Sequence, residues 1–271
     1  MMKCIVFLCS IFPPLRRQAW KWWYEKLARQ IPTDRWTFMN YGYVPLEKGI
    51  PLILEQEDEL NRHFIQLYEK VISPTNLSDK VVLEVGSGRG GGTSYVARYH
   101  HPRTTQGMDF SPEAIAFSKA RHSDIKNVEF LVGDAENIPL PDHSMDIVLN
   151  VESSHCYANV EKFIAEVARV LRPGGWFLFA DMRTPSEMIQ LRELMEARSS
   201  WKKVEEEDIS MQVLAALKAD DTLKQSFMEM SVPAGMREWF GEFAGKPEGI
   251  VFNNLQKGNL LYYRFAFQVQ E

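Results

Sequence analysis

The chain has 271 residues, 45% of them hydrophobic and 25% charged, which suits one packed α/β domain with decorations and excludes a disordered chain. Its 31 Lys and Arg against 36 Asp and Glu leave a formal charge of -5, and no long basic run interrupts that balance, so nucleic acid is excluded as a partner. Cys4, Cys9 and Cys156 form neither a CxxC pair nor a Cys/His cluster of zinc spacing, so a reduced cytoplasmic setting without a metal is expected.

Residues 1–50 form an aromatic-rich N-terminal segment with helical character, broken by Pro32, Gly42, Pro45 and Gly49. Its first apolar run, "MMKCIVFLCSIF", is far shorter than the ~20 residues of a membrane span. The following "LRRQAWKWWYEKLARQI" interleaves bases with Trp20, Trp22, Trp23 and Tyr24. Two readings stay open there: a helix packed on its own domain, and peripheral membrane contact through the N-terminus. An amphipathic helix is predicted over 55–72, with Leu60, Phe64, Leu67, Tyr68 and Val71 on one face.

From Lys80 onward short apolar runs alternate with helical stretches, the pattern of βαβ units on a parallel sheet. Strands are predicted at 81–86, 104–110, 128–134, 145–153 and 175–183, with helices at 92–100, 111–122 and 159–172. Ser111 is the expected N-cap of the second of these helices, and Arg172-Pro-Gly-Gly175 the stop of the third. Beyond Arg183, "KKVEEEDIS" carries a sixth strand and "NLLYYRFAFQVQ" another.

Ligands of such sheets bind at the carboxyl ends of the strands. Gly86, Gly88 and Gly91 follow the first strand as G-x-G-x-x-G, which fits a dinucleotide and also fits a cofactor without phosphate. Nearly every predicted strand closes on an acid or polar group: Glu84, Asp109, Asp134, then Asn150, Glu152 and His155. Asp109 suits a ribose diol in either case. Glu84 at the loop entrance would repel a pyrophosphate and favour an ammonium or sulfonium, and Asp134 is placed to accept from an adenine amino group. That set matches S-adenosyl-L-methionine better than NAD.

The stretches "VLEVGSGRGGGTSYVARYH", "GMDFSPEAIAFSKARH", "VEFLVGDAENIPLPDHSMDIVLNVESSHCY" and "EVARVLRPGGWFLFADMR" resemble the ordered motifs of class I S-adenosylmethionine-dependent methyltransferases. Within them the chain is most similar to the lipid-polyketide group, typified by the mycobacterial phthiotriolone and phenolphthiotriolone dimycocerosate O-methyltransferases. Met39-Asn-Tyr-Gly-Tyr43 and Ser154-His-Cys-Tyr157 carry that closer likeness, which is good over 35–185 and weaker over 186–271. The resemblance implies a Rossmann-like, seven-stranded methyltransferase sheet flanked by helices over 51–271, with a helical cap insertion at about 209–250. It also implies that Glu84, Gly86 and Gly88 hold the methionine part of the cofactor, with Asn150 alongside. Asp109 and Phe110 would take the ribose and adenine, and Asp134 and Ala135 the adenine.

Transfer to a hydroxyl needs alignment and a proton acceptor. His155 at the end of the fourth strand, with an ordinary pKa of about 6.5, is the expected base, and Asp181 at the end of the fifth its orienting carboxylate. His63 and His122 are expected on helix surfaces, His100 and His101 in solvent, and His143 in a turn. Trp36, Phe38, Tyr41, Tyr43, Phe227, Met228, Met236, Trp239, Phe240 and Phe243 are expected to line a pocket for a large apolar acceptor. C-methylation of a sterol or other isoprenoid, a non-catalytic scaffold and a dinucleotide oxidoreductase are the alternatives.

Overall fold

A computed structural model describes residues 36–47 and 49–270. The readings of the first thirty-five residues, peripheral membrane contact among them, lie outside these. Among the described residues no helix is long and apolar enough to cross a membrane.

Seven strands form one sheet: β1 Val81–Val85, β2 Thr104–Asp109, β3 Val128–Val132, β4 Met145–Val151, β5 Leu171–Arg183, β6 Trp201–Asp208 and β7 Leu261–Val269. Their order is β3-β2-β1-β4-β5-β7-β6. The first five pair in parallel, and β7 inserts antiparallel between β5 and β6. Strand order reverses beside β1, where the chain passes first to β2 and later returns to β4, so a crevice opens at the carboxyl ends of β1 and β4.

Alternate residues of each central strand feed two cores. Val82, Ile147, Leu149 and Leu178 pack with Leu67 and Val71 of helix α1, Arg62–Ile72. Leu83, Val148, Phe177 and Phe179 pack with Phe163 and Val167 of helix α4, Val160–Val170. Near-continuous apolar strands result because both faces are covered.

Helix α2 spans Gly91–Tyr99 and α3 Pro112–Arg121, the latter capped by Ser111 Oγ, which accepts from Ala114 N–H at 3.2 Å. Helix α5, Pro185–Glu196, begins in a capping box between Thr184 and Glu187.

Two boundaries differ from the sequence expectation. Helix α1 starts at Arg62, behind a short 3-10 turn at Glu59–Asn61, because Asp58 is drawn to the Arg98 guanidinium (2.7 and 2.9 Å) and the Tyr99 hydroxyl (2.6 Å). Leu60 consequently stays 65% exposed. Helix α4 ends at Val170, and β5 begins at once with Leu171 paired to Met145, so the Arg172–Gly175 stretch lies within the strand at a register shift.

Between β6 and β7 stand helices α6 Ser210–Ala219, α7 Asp221–Ser231, α8 Arg237–Phe243 and α9 Ile250–Gln256. Val232 and Phe240 make a small core there with Trp36, Phe227, Met228, Met236 and Phe243. His63 ties α1 to this unit through Asp220, at 2.6 Å.

Candidate active site

The cavity at the carboxyl ends of the strands is floored by the loop after β1. Gly86 and Gly88 have φ of 80° and 53°, which a side chain rarely adopts. A Cβ at Gly86 would lie 2.3 Å from Ser153 Oγ, and one at Gly88 2.3 Å from Met39 Cε. Glycine here lets the backbone of the loop border the cavity directly, while Gly91 opens helix α2.

Asp109, at the end of β2, fastens this loop. Its Oδ2 accepts from Gly88 N–H at 2.9 Å and its Oδ1 from Ser111 N–H at 2.9 Å. Burial raises its carboxyl above the ordinary value, with the backbone hydrogen bonds opposing. A backbone N–H of Phe110 is a third donor to this carboxylate, which with about four acceptor sites still has room for a ligand hydroxyl. Phe110, Asp134 and Ala135 line the same cavity, and Asp134 Oδ1 accepts from Glu136 N–H at 3.0 Å.

Two expected cofactor residues stand behind the wall. Glu84 is 1% exposed and does not line the cavity. Its oxygens accept from the Tyr68 hydroxyl at 2.6 Å and from the Thr93 hydroxyl of α2. Burial pushes it up to about 7 against those two hydrogen bonds. It anchors the loop from below, and its charge is turned into the protein. Asn150, fully buried, donates from Nδ2 to Val85 O at 2.8 Å, to Ser153 Oγ at 2.8 Å and to Tyr157 Oη at 3.0 Å. It thereby sets two side chains that do line the cavity.

His155 and Asp181 are paired, Nδ1 to Oδ1 at 2.8 Å. Asp181 also accepts from His155 N–H at 2.9 Å and from Ser154 Oγ at 2.6 Å, with Arg183 at 3.2 Å. Burial works to raise Asp181, but the Arg183 guanidinium, His155 and these hydrogen bonds hold it well below the usual carboxylate range. Burial likewise works against charge on His155, and Cys156 and Asp181 outweigh it, raising the imidazole well above its ordinary value. His155 does not line the cavity, whereas its neighbours Ser153, Cys156 and Tyr157 do.

Glu152, one residue past β4, has no expected role in the sequence reading, yet it lines the cavity. Its φ is 51°, in the left-handed region, and it is 9% exposed. Its Oε2 accepts from Tyr41 N–H at 2.8 Å and from the Tyr262 hydroxyl at 3.0 Å. Burial pushes it up to about 8. An acid directly following an apolar strand is its one sequence signal.

The opposite wall is a strap, residues 37–40. Thr37 O accepts from Gly91 N–H at 3.3 Å. Arg89 of the glycine loop is 3% exposed, donates to Trp36 O at 3.2 Å and lies over the Phe117 and Trp36 rings at 4.0 and 5.0 Å.

The aromatic residues divide differently from expectation. Phe38 lines the cavity, Tyr41 and Tyr43 belong to the main core, and Trp36, Phe227, Met228, Met236, Phe240 and Phe243 pack among themselves. Among the described residues, none of α6–α9 lines the cavity. Apolar area buried within the four-helix unit explains this, since a short helix must cover its own apolar stripe first.

Of the histidines, His122 is buried rather than on a helix surface: Nε2 donates to Arg89 O at 3.2 Å, and burial lowers it to about 4. His100 pairs with Glu69 at 3.0 Å. Among the described residues, Glu55, Glu57 and Asp58 converge as a cation site would, but Arg98 faces all three.

The methyltransferase domain family matches residues 83–179, from β1 into β5. A phthiotriol/phenolphthiotriol dimycocerosates methyltransferase of Mycobacterium leprae is 36% identical over 93% of this chain and 92% of its own length. A fatty-acid O-methyltransferase of Mycolicibacterium smegmatis is 38% identical over 93% of this chain and 90% of its own. Among solved structures, geranyl diphosphate C-methyltransferase from Streptomyces coelicolor superposes with a TM-score of 0.64 at 16% identity, over 91% of this chain and 97% of that one, which shows the shared fold. With relatives at this identity along nearly its whole length, the chain belongs to the methyltransferase family and is an enzyme of that kind.

Proposed function

We propose that this enzyme binds S-adenosyl-L-methionine in the cavity and transfers the methyl group to a hydroxyl of an apolar, lipid-like acceptor. The charge of the wall carries this reading. Asp109, Asp134 and Glu136 line it, and no Lys, Arg or His does among the described residues. A pyrophosphate would meet acids and no cation there, whereas a ligand with an ammonium and a sulfonium would meet a complementary field. The glycine loop, which a single Cβ would block, is the second element of fit.

When bound, that cofactor supplies an electrophilic methyl carbon on a ready leaving group. Asp109 accepts the ribose hydroxyls, Phe110, Asp134 and Ala135 surround the adenine, and the backbone at Gly86 and Gly88 borders the methionine part. Glu84 and Asn150 hold that loop in shape. Phe38, Met39, Val151 and Tyr157 give the remaining wall an apolar character, suited to excluding water and to aligning a hydrocarbon-bearing acceptor. Relatives named for fatty-acid O-methylation and for phthiotriol dimycocerosates support an acceptor of that class.

Thermal unfolding with S-adenosylhomocysteine and, separately, with NAD tests the cofactor. At a hundred times its dissociation constant the matching ligand stabilises by ~2.7 kcal/mol, a rise of roughly 5–10 °C in Tm for a chain of this size. A rise with NAD alone overturns the reading. Transfer of a labelled methyl group to hexadecan-1-ol, with recovery of an ether, tests the acceptor.

A further inference from the structure

We propose that Glu152, not His155, receives the acceptor's proton during methyl transfer. The inference rests on the hydroxyl reading above and adds the residue that does the work. Glu152 borders the cavity, while His155 stands outside it. One carboxyl oxygen, Oε2, is fixed by Tyr41 N–H and the Tyr262 hydroxyl, at 2.8 and 3.0 Å. Neither of these donors reaches Oε1. A carboxylate held by one oxygen and offered by the other is what a positioned base requires.

The backbone supports the same conclusion. A non-glycine residue at φ 51° is strained, and strain of this kind persists where the surroundings impose it. Here Glu152 N–H donates to Ala180 O at 2.8 Å, so β5 holds the turn that aims the side chain. Removing the strain would require only a different residue or a relaxed turn, and either would take the carboxyl from the wall.

In the reaction, a lone pair of the acceptor hydroxyl oxygen forms the new bond to the methyl carbon. The carbon–sulfur bond breaks with its electron pair remaining on sulfur. The hydroxyl proton passes to Glu152 Oε1 and leaves to solvent after product release. No oxidant, metal or second co-reactant is needed for this balance.

The titratable groups around Glu152 fit the task. Tyr41 directly follows the strap, Tyr68 comes from α1, Tyr262 from β7, His155 from the turn after β4 and Asp181 from the end of β5. Burial raises the carboxyl to about 8, so it gains basicity, while His155 opposes that rise. His155, already holding its proton against Asp181, is a positioning residue: with Ser154 and Asp181 it fixes the turn from which Ser153 and Tyr157 reach the cavity.

The test compares wild type, Glu152→Gln and His155→Gln with hexadecan-1-ol and with palmitate, alongside S-adenosylhomocysteine binding and carbon-13 titration of the glutamate carboxyls in the ligand-free wild type. Expected are a Glu152 titration near 8 and, with S-adenosyl-L-methionine raised to saturation for each variant, alcohol methylation by Glu152→Gln lowered by about 100-fold or more. The rise of rate with pH expected of wild type should vanish in Glu152→Gln and persist in His155→Gln. A Glu152 carboxyl titrating below about 5 overturns the proposal, and this readout needs no variant to fold. So does alcohol methylation by Glu152→Gln at near wild-type rate. If wild type methylates palmitate, whose carboxylate has no proton to lose, and leaves the alcohol untouched, the hydroxyl reading itself fails, and an active wild type on the alcohol distinguishes the two failures.

Discussion

The hydroxyl of Tyr262, in the last strand of the sheet and fully buried, donates to Glu152 Oε2 at 3.0 Å. It couples β7 to the end of β4 across the one intervening strand, β5, and among the described residues this hydroxyl bonds to that carboxyl alone. Tyr262→Phe removes a hydrogen bond that favours the ionised form, so the Glu152 titration should move further up and the rate-against-pH curve should shift to higher pH. Stability should fall by about 1 kcal/mol, read from urea unfolding. An unchanged pH profile would show that this hydroxyl does not govern the carboxyl.

Asp109→Ala should abolish detectable S-adenosylhomocysteine binding while the sheet still forms. The substitution removes both acceptors that fasten Gly88 and Ser111 N–H groups, leaving the loop without its anchor as well as the ligand without a ribose partner. Isothermal titration calorimetry reads the loss, and circular dichroism checks that the secondary structure is retained. Binding within tenfold of wild type would remove Asp109 from the cofactor's contacts.

Stability should depend on pH through two buried carboxyls. Glu84 and Glu152 titrate at about 7 and about 8 in the folded chain, above the ~4.3 of an unfolded glutamate. The folded state therefore holds the extra protons: their contribution is complete below about pH 4 and is lost as the pH rises toward 7 for Glu84 and 8 for Glu152. Relative to Glu84→Gln or Glu152→Gln, wild type should weaken by up to about 1.4 kcal/mol per pH unit inside those windows. Urea unfolding at pH 5, 6, 7 and 8 reads the difference, and a flat difference for either variant would mean that its carboxyl is ionised throughout.

Arg89→Ala should loosen the strap more than the sheet. The guanidinium lies between the Phe117 and Trp36 rings and donates to Trp36 O, contacts worth about 0.5–2 kcal/mol each when shielded from water. The expected result is a Tm lowered by a few degrees, faster amide exchange at residues 37–40, and weaker S-adenosylhomocysteine binding with turnover per bound enzyme little changed. Exchange unchanged at the strap would assign its order to other contacts, such as the Gly91–Thr37 hydrogen bond.

The sheet was legible because its signals are local. Apolar runs ending in Glu84, Asp109, Asp134 and Asn150 mark strands covered on both faces, and Ser111 before Pro112 marks a helix start. The beginning of α1 was not, because what stops the helix is Arg98, forty positions away, claiming Asp58. Pairing of His155 with Asp181 followed from their places at adjacent strand ends, but which of the neighbouring side chains faces the cavity depends on a 3-10 turn at Ser154–Cys156 that no periodicity announces. Glu152 was hidden for a similar reason: its two donors lie 111 and 110 positions away, and its left-handed backbone has no compositional mark. Phe227, Phe240 and Phe243 illustrate the remaining gap, since an aromatic side chain reads the same whether it faces a ligand or another ring.

The strap that walls the cavity is directly preceded by Trp36, and both lean on the glycine loop. Because Arg89 in the cofactor loop grips Trp36 directly, any displacement of Trp36 reaches the floor of the active site through a single side chain. By thermodynamic reciprocity, whatever tightens the Arg89–Trp36 contact favours cofactor binding, and cofactor binding tightens that contact by the same energy. The strap is thus a lever with its short arm in the catalytic cavity.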